Sequence, residues 1–277
     1  MKLKLPFGIK SGRLVDVGQV EPGIKCNCTC PGCGHKLVAR KGTRKVHHFA
    51  HYKAEECVGS LETALHKAAK EILERKKYLK IPEVSTGLIT RNIQLYPEQT
   101  IYFDRVYLEK RFNDITPDLI IESNGKQLII EIAVTHFIDK EKEMKISDLN
   151  ISTLEINLSN IDRQITLAFL EKILVEETEN KKWIYNSKEN DFKKKIHALG
   201  KELMVIDRGL HGLVKNCPLI KDSWRLKKAA SLLDDCFDCD FYIDARGDEF
   251  RSHAFITCVG HESAKIDELI KKHKKGG

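Results

Sequence analysis

"TPDLIIESNGKQLIIEIAVTH", residues 116–136, decides the fold. It reads as two apolar strands joined at Asn124-Gly125, a pair that suits the positive φ angles of a two-residue hairpin turn. Two carboxylates interrupt the apolar pattern: Asp118 opens the first strand and Glu131 sits inside the second. Side chains alternate along a strand, so residues 129, 131, 133 and 135 share one face. Pairing about Asn124-Gly125 sets Asp118 and Glu131 opposite or diagonal to each other. Two ionised carboxylates that close repel in a low-dielectric setting. A hard divalent cation removes the conflict by taking oxygen ligands from both. Mg²⁺ or Mn²⁺ held there activates water against a phosphodiester. The competing structural reading makes Asp118 a turn cap after Pro117 and puts Glu131 in a salt bridge.

Upstream, residues 59–82 predict a helix, with Ser60 as N-cap, an apolar stripe through Leu61, Leu65, Ala68, Ile72 and Leu79, and Pro82 as the stop. Glu62, His66 and Lys70 fall at i, i+4 and i+8 on one face, so Glu62 is a candidate third carboxylate. Residues 83–136 read as strands, 139–150 as a short charged helix, 152–159 as a further strand and 161–183 as another helix. Residues 177–195, charged and Asn-rich, read as a link or an exposed helix end. The expected division is 1–58, 59–176 and 177–277.

The chain has 277 residues, 31% charged and 42% hydrophobic, an ordinary globular balance rather than a disordered one. No apolar run is long enough to span a bilayer and "MKLKLPFGIK" has no signal-peptide core, so a cytoplasmic protein with no membrane partner is expected. The net charge of +7 is concentrated in residues 1–60, with eleven Lys/Arg against four Asp/Glu, while the remaining residues balance. Such a patch is the electrostatic footprint of a polyanion, most often nucleic acid, whether DNA (single-stranded or duplex) or RNA. A solvated face that only aids solubility is the plain alternative.

Nine cysteines fall in two sets, with none between 58 and 216. In a cytosolic chain, C-x-x-C points to zinc before disulfides. In the first set Cys30-Pro-Gly-Cys33-Gly has the form of a zinc knuckle. Cys30, Cys33, His51 and Cys57 are the favoured ligands, with His48 or Cys28 as substitutes. In the second set Cys217, Cys236, Cys239 and Cys258 flank a C-x-x-C symmetrically, which suggests a structural Cys₄ zinc site; scattered buried thiols are the alternative. Two zinc equivalents per chain are expected.

The helix carrying Glu62, then "PD", then a strand with Glu131, then helix and strand, resembles the PD-(D/E)XK nuclease core. "CPGCGHKLVARKG…HHFAH…C…ETALHKAAKEIL" resembles competence protein CoiA-like nucleases. The likeness covers roughly residues 1–160. It implies an α/β fold: a restriction-endonuclease-like mixed sheet flanked by helices, with an N-terminal zinc-ribbon-like module and a C-terminal Cys-rich α+β region. It implies a Mg²⁺-dependent DNA nuclease in DNA uptake, recombination or defence, with Asp118 and Glu131 on the metal and Glu62 and His66 on the first core helix. One position departs: the pattern carries Lys two residues after the Glu, and here stands Ala133. Lys140, Lys142 and Lys145 on the next helix, or Lys70, could return the cation, and Lys145 is ranked first. If none does, a zinc-containing nucleic-acid-binding adaptor on a degenerate nuclease fold is the alternative.

Overall fold

The computed structural model of the protein describes residues 5–55, 57, 59–88, 91–161, 165–206, 212–219, 229–246 and 254–275. Two units emerge: Met1–Pro82 with Glu98–Tyr185, and Glu83–Pro97 with Asn186–Gly277.

In the first unit β1 (Phe7–Lys10) pairs with β2 (Arg13–Asp16), and β3 (Leu37–Arg40) pairs with β4 (His48–His51). Helix α1 (Ser60–Lys76) follows, then β5 (Tyr78–Ile81). The chain leaves for the second unit as the hairpin β6 (Val84–Leu88) and β7 (Arg91–Tyr96), and returns in β8 (Gln99–Tyr102), which pairs with β5. Next come β9 (Arg105–Leu108), β10 (Leu119–Ser123), β11 (Lys126–Ala133), α2 (Lys140–Leu149), β12 (Thr153–Asn157), α3 (Leu167–Val175) and β13 (Lys181–Tyr185). Strands β13-β12-β11-β10-β9 form one mixed sheet, antiparallel except for the β11–β12 pair. That parallel pair needs a crossover, and α2 is part of it.

The β10–β11 turn forms as its sequence requires: Asn124 (φ 50) and Gly125 (φ 74) both take positive φ. Leu119 pairs with Ile130 and Ser123 with Lys126, so one step further along the register Asp118 faces Glu131. Residues 128–133 are all buried because both faces of the sheet are covered. Ile120 and Ile129 pack with Ile146 of α2. Leu119, Ile121 and Ile130 join the larger core with Leu65, Leu73 and Leu174 from α1 and α3. Burial of each such aliphatic side chain contributes about 1.5–3 kcal/mol.

The second unit contains β6–β7, α4 (Ser187–Ala198) and a five-stranded antiparallel sheet ordered β16-β15-β14-β18-β17. Its strands are β14 (Lys201–Ile206), β15 (Leu213–Lys215), β16 (Ala229–Ser231), β17 (Tyr242–Arg246) and β18 (Ala254–Cys258), and α5 (Ser263–Lys275) ends it.

Several expectations change. The helix expected over 59–82 stops at Lys76, because Lys77 takes a left-handed φ of 59 and the β-prone Tyr78–Ile81 pairs with β8. Ser60 is its first helical residue rather than its cap; Gly59 (φ 74) holds the cap position. The helix expected over 161–183 reduces to α3, and Lys181–Tyr185 instead edges the main sheet. Residues 177–195 are therefore no plain link: they carry β13 and the start of α4, where Asn186 accepts from the amides of Lys188 and Glu189. The N-terminal residues share a unit with the main sheet, and the β6–β7 hairpin lies outside that unit. Among the described residues no helix is long and apolar enough to cross a membrane.

Candidate functional site

Helix α1 carries one candidate centre at its start and another along its length. At its start, the loop after β2, strand β4 and the segment leading into α1 bring Cys30, Cys33, His51 and Cys57 together, with all four ligand atoms within 4.8 Å of one another. Cys30 Sγ and Cys57 Sγ are 3.7 Å apart, and Cys33 Sγ is 3.2 Å from His51 Nε2. A tetrahedron of roughly 2.3 Å zinc–sulfur bonds has edges of about 3.8 Å, so the donors are spaced to hold zinc. The Gly32 amide donates to Cys30 Sγ at 3.4 Å. Burial, together with contacts to Cys33 and Cys30, pushes the Cys57 thiol up to about 11. A bound cation would oppose that rise. All four cysteines of the segment that precede β3, and Cys57, are free thiols.

His48 is not brought to this cluster. The segment 48–51 is a strand, so residues three apart point to opposite faces, and His48 Nδ1 lies 2.8 Å from the Val46 carbonyl instead. Cys28 is buried away from it, its thiol donating to the Cys26 carbonyl at 3.2 Å.

The cluster packs directly on α1. Lys67 donates to the Pro31 carbonyl at 2.5 Å. Gly32 lies against the start of the helix, where a Cβ would stand in ordinary contact, 3.5 Å from the Ser60 Cα. The same helix sends His66 and Lys70 towards Asp118: His66 Nδ1 and Lys70 Nζ stand 3.2 and 2.8 Å from Asp118 Oδ1. The Ile132 amide donates to Asp118 Oδ2 at 2.9 Å. Burial raises the Asp118 carboxyl, but His66, Lys70 and the Ile132 amide together overcome it and hold the group well below the usual carboxylate range.

Glu131 is 6% exposed, and an unpaired carboxylate at that depth costs several kcal/mol. Lys142 of α2 offsets this, with Nζ 2.8 Å from Glu131 Oε1. Burial and the Asp118 charge nevertheless leave Glu131 raised, against the opposing pull of Lys142. The pair thus has one carboxyl pushed down and one pushed up, a split typical of sites that handle protons or cations. Both line a cavity of ≈ 240 Å³ together with Glu62, His66, Ala133 and Lys142.

Lys145, ranked first as the replacement cation, lies elsewhere: its Nζ pairs with Glu141 Oε1 at 2.6 Å on the surface of α2. Position 142 is a helical turn nearer the Asp139 cap, and its side chain reaches the sheet. Glu62 stands at the cavity edge, its Oε2 accepting from Thr135 Oγ1 at 2.6 Å and its Oε1 3.4 Å from His136 Nδ1. The hydrogen bond from Thr135 holds its carboxyl below the usual range. Sequence reasoning missed Glu155 of β12. In the parallel register it stands beside Glu131, is 6% exposed, and accepts from the Ile138 amide at 3.2 Å. Its signal was the same as that of Glu131, a carboxylate inside an apolar strand.

The hard oxygen donors of Asp118 and Glu131 fit Mg²⁺ or Mn²⁺ in kind. In the second unit Cys217, Cys236, Cys239 and Cys258 line one cavity of ≈ 200 Å³. Among the described residues, only the Cys30 set has its ligand atoms within 4.8 Å of one another. No curated protein and no solved structure matches the chain. Residues 23–60, which span the knuckle, β3, β4 and the entry to α1, match the family model of the competence protein CoiA, N-terminal domain.

Proposed function

We propose that the protein is a divalent-metal-dependent nuclease acting on DNA, in a competence-related role such as uptake or recombination. The observation that carries this reading is the meeting of Asp118 and Glu131 across one hairpin, in a cavity where Lys142 stands on Glu131. Further support comes from the run β9, β10, β11, α2, β12, with β12 parallel to β11, which follows α1 after β5–β8 and is compatible with the core the sequence resembles.

A divalent cation held by Asp118 and Glu131 supplies charge neutralisation at a phosphoryl oxygen and a lowered pKa for bound water. Lys142 places an ammonium beside Glu131, as the missing lysine of position 133 would have done from the strand itself. Ala133 lines the same cavity and leaves its volume to other groups. There Lys142 offsets the negative charge that develops on an attacked phosphodiester. Lys70 and His66 keep Asp118 ionised and oriented. The basic N-terminal segment supplies phosphate contacts, which position a nucleic acid without reading its sequence.

The second reading is a nucleic-acid-binding adaptor without catalysis. It is favoured by the lysines themselves, since each carboxylate already has an ammonium at 2.8 Å. Incubating the full chain with plasmid and linear single-stranded DNA, and with RNA, in Mg²⁺ or Mn²⁺ separates the two. Cleavage by the wild type that disappears in Asp118→Ala and Glu131→Ala supports the nuclease. Equal binding with no cleavage by any of the three transfers the site to the adaptor.

A further inference from the structure

The C-terminal sheet has a thin core. Among the described residues its buried cluster is Val205, Val214, Ala230, Ile256 and two thiols, Cys236 and Cys258, with Leu203, Leu232, Phe241 and Tyr242 partly buried against it. A core this small gives little burial free energy to set against the ordering of its strands. Into it come four cysteines from three separate pieces of chain. Cys217 follows β15 through Asn216, whose left-handed φ of 62 turns the backbone. Cys236 ends a single π-helical turn, Leu232–Cys236, and Cys239 folds back on it with its amide donating to the Cys236 carbonyl at 3.0 Å. Cys258 closes β18.

All four border the same ≈ 200 Å³ cavity, whose other lining is largely aliphatic. The Gly260 amide donates to Cys258 Sγ at 3.4 Å, repeating the Gly32 contact to Cys30 in the N-terminal knuckle. Gly260 is also tightly placed, since a Cβ there would meet Pro218 Cγ at 3.0 Å and Cys258 Sγ at 3.5 Å. The residue after Cys217 and the residue two after Cys258 are thereby in contact. Ordinary buried thiols pack as small apolar groups with no need to converge. Convergence of four, from Cys217 to Cys258, on one cavity is what a shared ligand would need.

We propose that Cys217, Cys236, Cys239 and Cys258 form a second, structural zinc site that completes the core of the C-terminal sheet. Four soft thiolates suit tetrahedral zinc and leave no open coordination position, so the site is not catalytic. As the four thiols take the ion they release their protons, and the binding free energy becomes folding free energy of the sheet. The sulfurs here are more widely spread than in the N-terminal cluster, so loading draws them inward. The proposal stands whether or not the carboxylate pocket hydrolyses DNA.

The test is metal analysis of the full chain, purified without chelator, as wild type, Cys33→Ser and Cys239→Ser. Each variant is expected to lose a different zinc equivalent, leaving half the wild-type content. Wild-type zinc retained in full by Cys239→Ser overturns the site. Because a serine in a thin core can unfold the sheet, zinc X-ray absorption on the wild type gives a second readout. About 3.5 sulfurs per zinc is expected from a Cys₄ site averaged with a Cys₃His site. Three sulfurs and one nitrogen per zinc overturns the proposal.

Discussion

The Cys/His cluster and the carboxylate pocket share helix α1, yet they are opposite kinds of site. In the cluster the donors are soft, gathered within 4.8 Å, and thiol is set against thiol with no ammonium among the four. In the pocket the donors are hard and each carboxylate already has a lysine: Lys70 on Asp118 and Lys142 on Glu131. The thiols of the cluster stay neutral until an ion displaces their protons, and a closed set of soft donors suits permanent occupancy. A donor set balanced by neighbouring ammoniums is satisfied as it stands. On the proposed reading, the contrast separates a metal that builds the protein from a metal that serves its chemistry. The knuckle also touches the helix that delivers His66 and Lys70, through Lys67 and the Pro31 carbonyl.

The largest effect that could break this contrast is loss of the N-terminal ion. Structural zinc contributes on the order of 10 kcal/mol in small modules. Cys33→Ser, or a strong zinc chelator, is therefore expected to release amide protection across residues 23–60 in hydrogen exchange. Removing Mg²⁺ is expected to leave protection of β10 and β11 unchanged. Equal and small responses at both places would erase the distinction.

Next in size is the lysine exchange. Lys142→Ala is expected to lower kcat by roughly 10²–10³-fold, the usual cost of removing one charge-stabilising donor. Lys145→Ala is expected to leave cleavage unchanged, since its ammonium lies on Glu141. Single-turnover cleavage assays on both variants check this, and equal losses would remove Lys142 from its role.

A smaller effect concerns acid. Asp118 is held below its ordinary value in the fold by His66 and Lys70 against burial, and returns to about 3.9 when the chain unfolds. Its contribution is therefore complete above about pH 4 and is lost as the pH falls further. Denaturant unfolding is expected to show wild type more stable than Asp118→Asn by about 2 kcal/mol at pH 6. That gap is expected to narrow below pH 4, and a constant gap would show that His66 and Lys70 do not hold the charge. Smallest is Glu155→Gln, which keeps an acceptor for the Ile138 amide and is expected to change cleavage by less than about tenfold.

The hairpin was legible in the sequence because its signals are local: Asn124-Gly125 fixes the turn, the turn fixes the register, and the register sets Asp118 against Glu131. The favoured zinc ligands were legible for the same reason, since a knuckle and the residues around it are close along the chain. What failed was long-range. Nothing local distinguishes a helical Tyr78–Ile81 from a strand whose partner is β8, or an exposed Lys181–Tyr185 from the edge of the main sheet. His48, a substitute ligand by sequence, is three residues from His51 on a strand and so faces the other way. The sequence put Lys145 ahead of Lys142 with no local signal to separate them. The pitch of α2, set by the Asp139 cap and the burial of Ile146, puts only Lys142 over Glu131.

The most direct test of the pocket is Mn²⁺ binding to the full chain, followed by electron paramagnetic resonance in the wild type, Asp118→Asn and Glu131→Gln with the zinc sites left loaded. The expected result is a bound Mn²⁺ in the wild type that is lost in both variants. A wild type that binds no Mn²⁺, or variants that bind it as well as the wild type, would contradict a metal held between these two carboxylates.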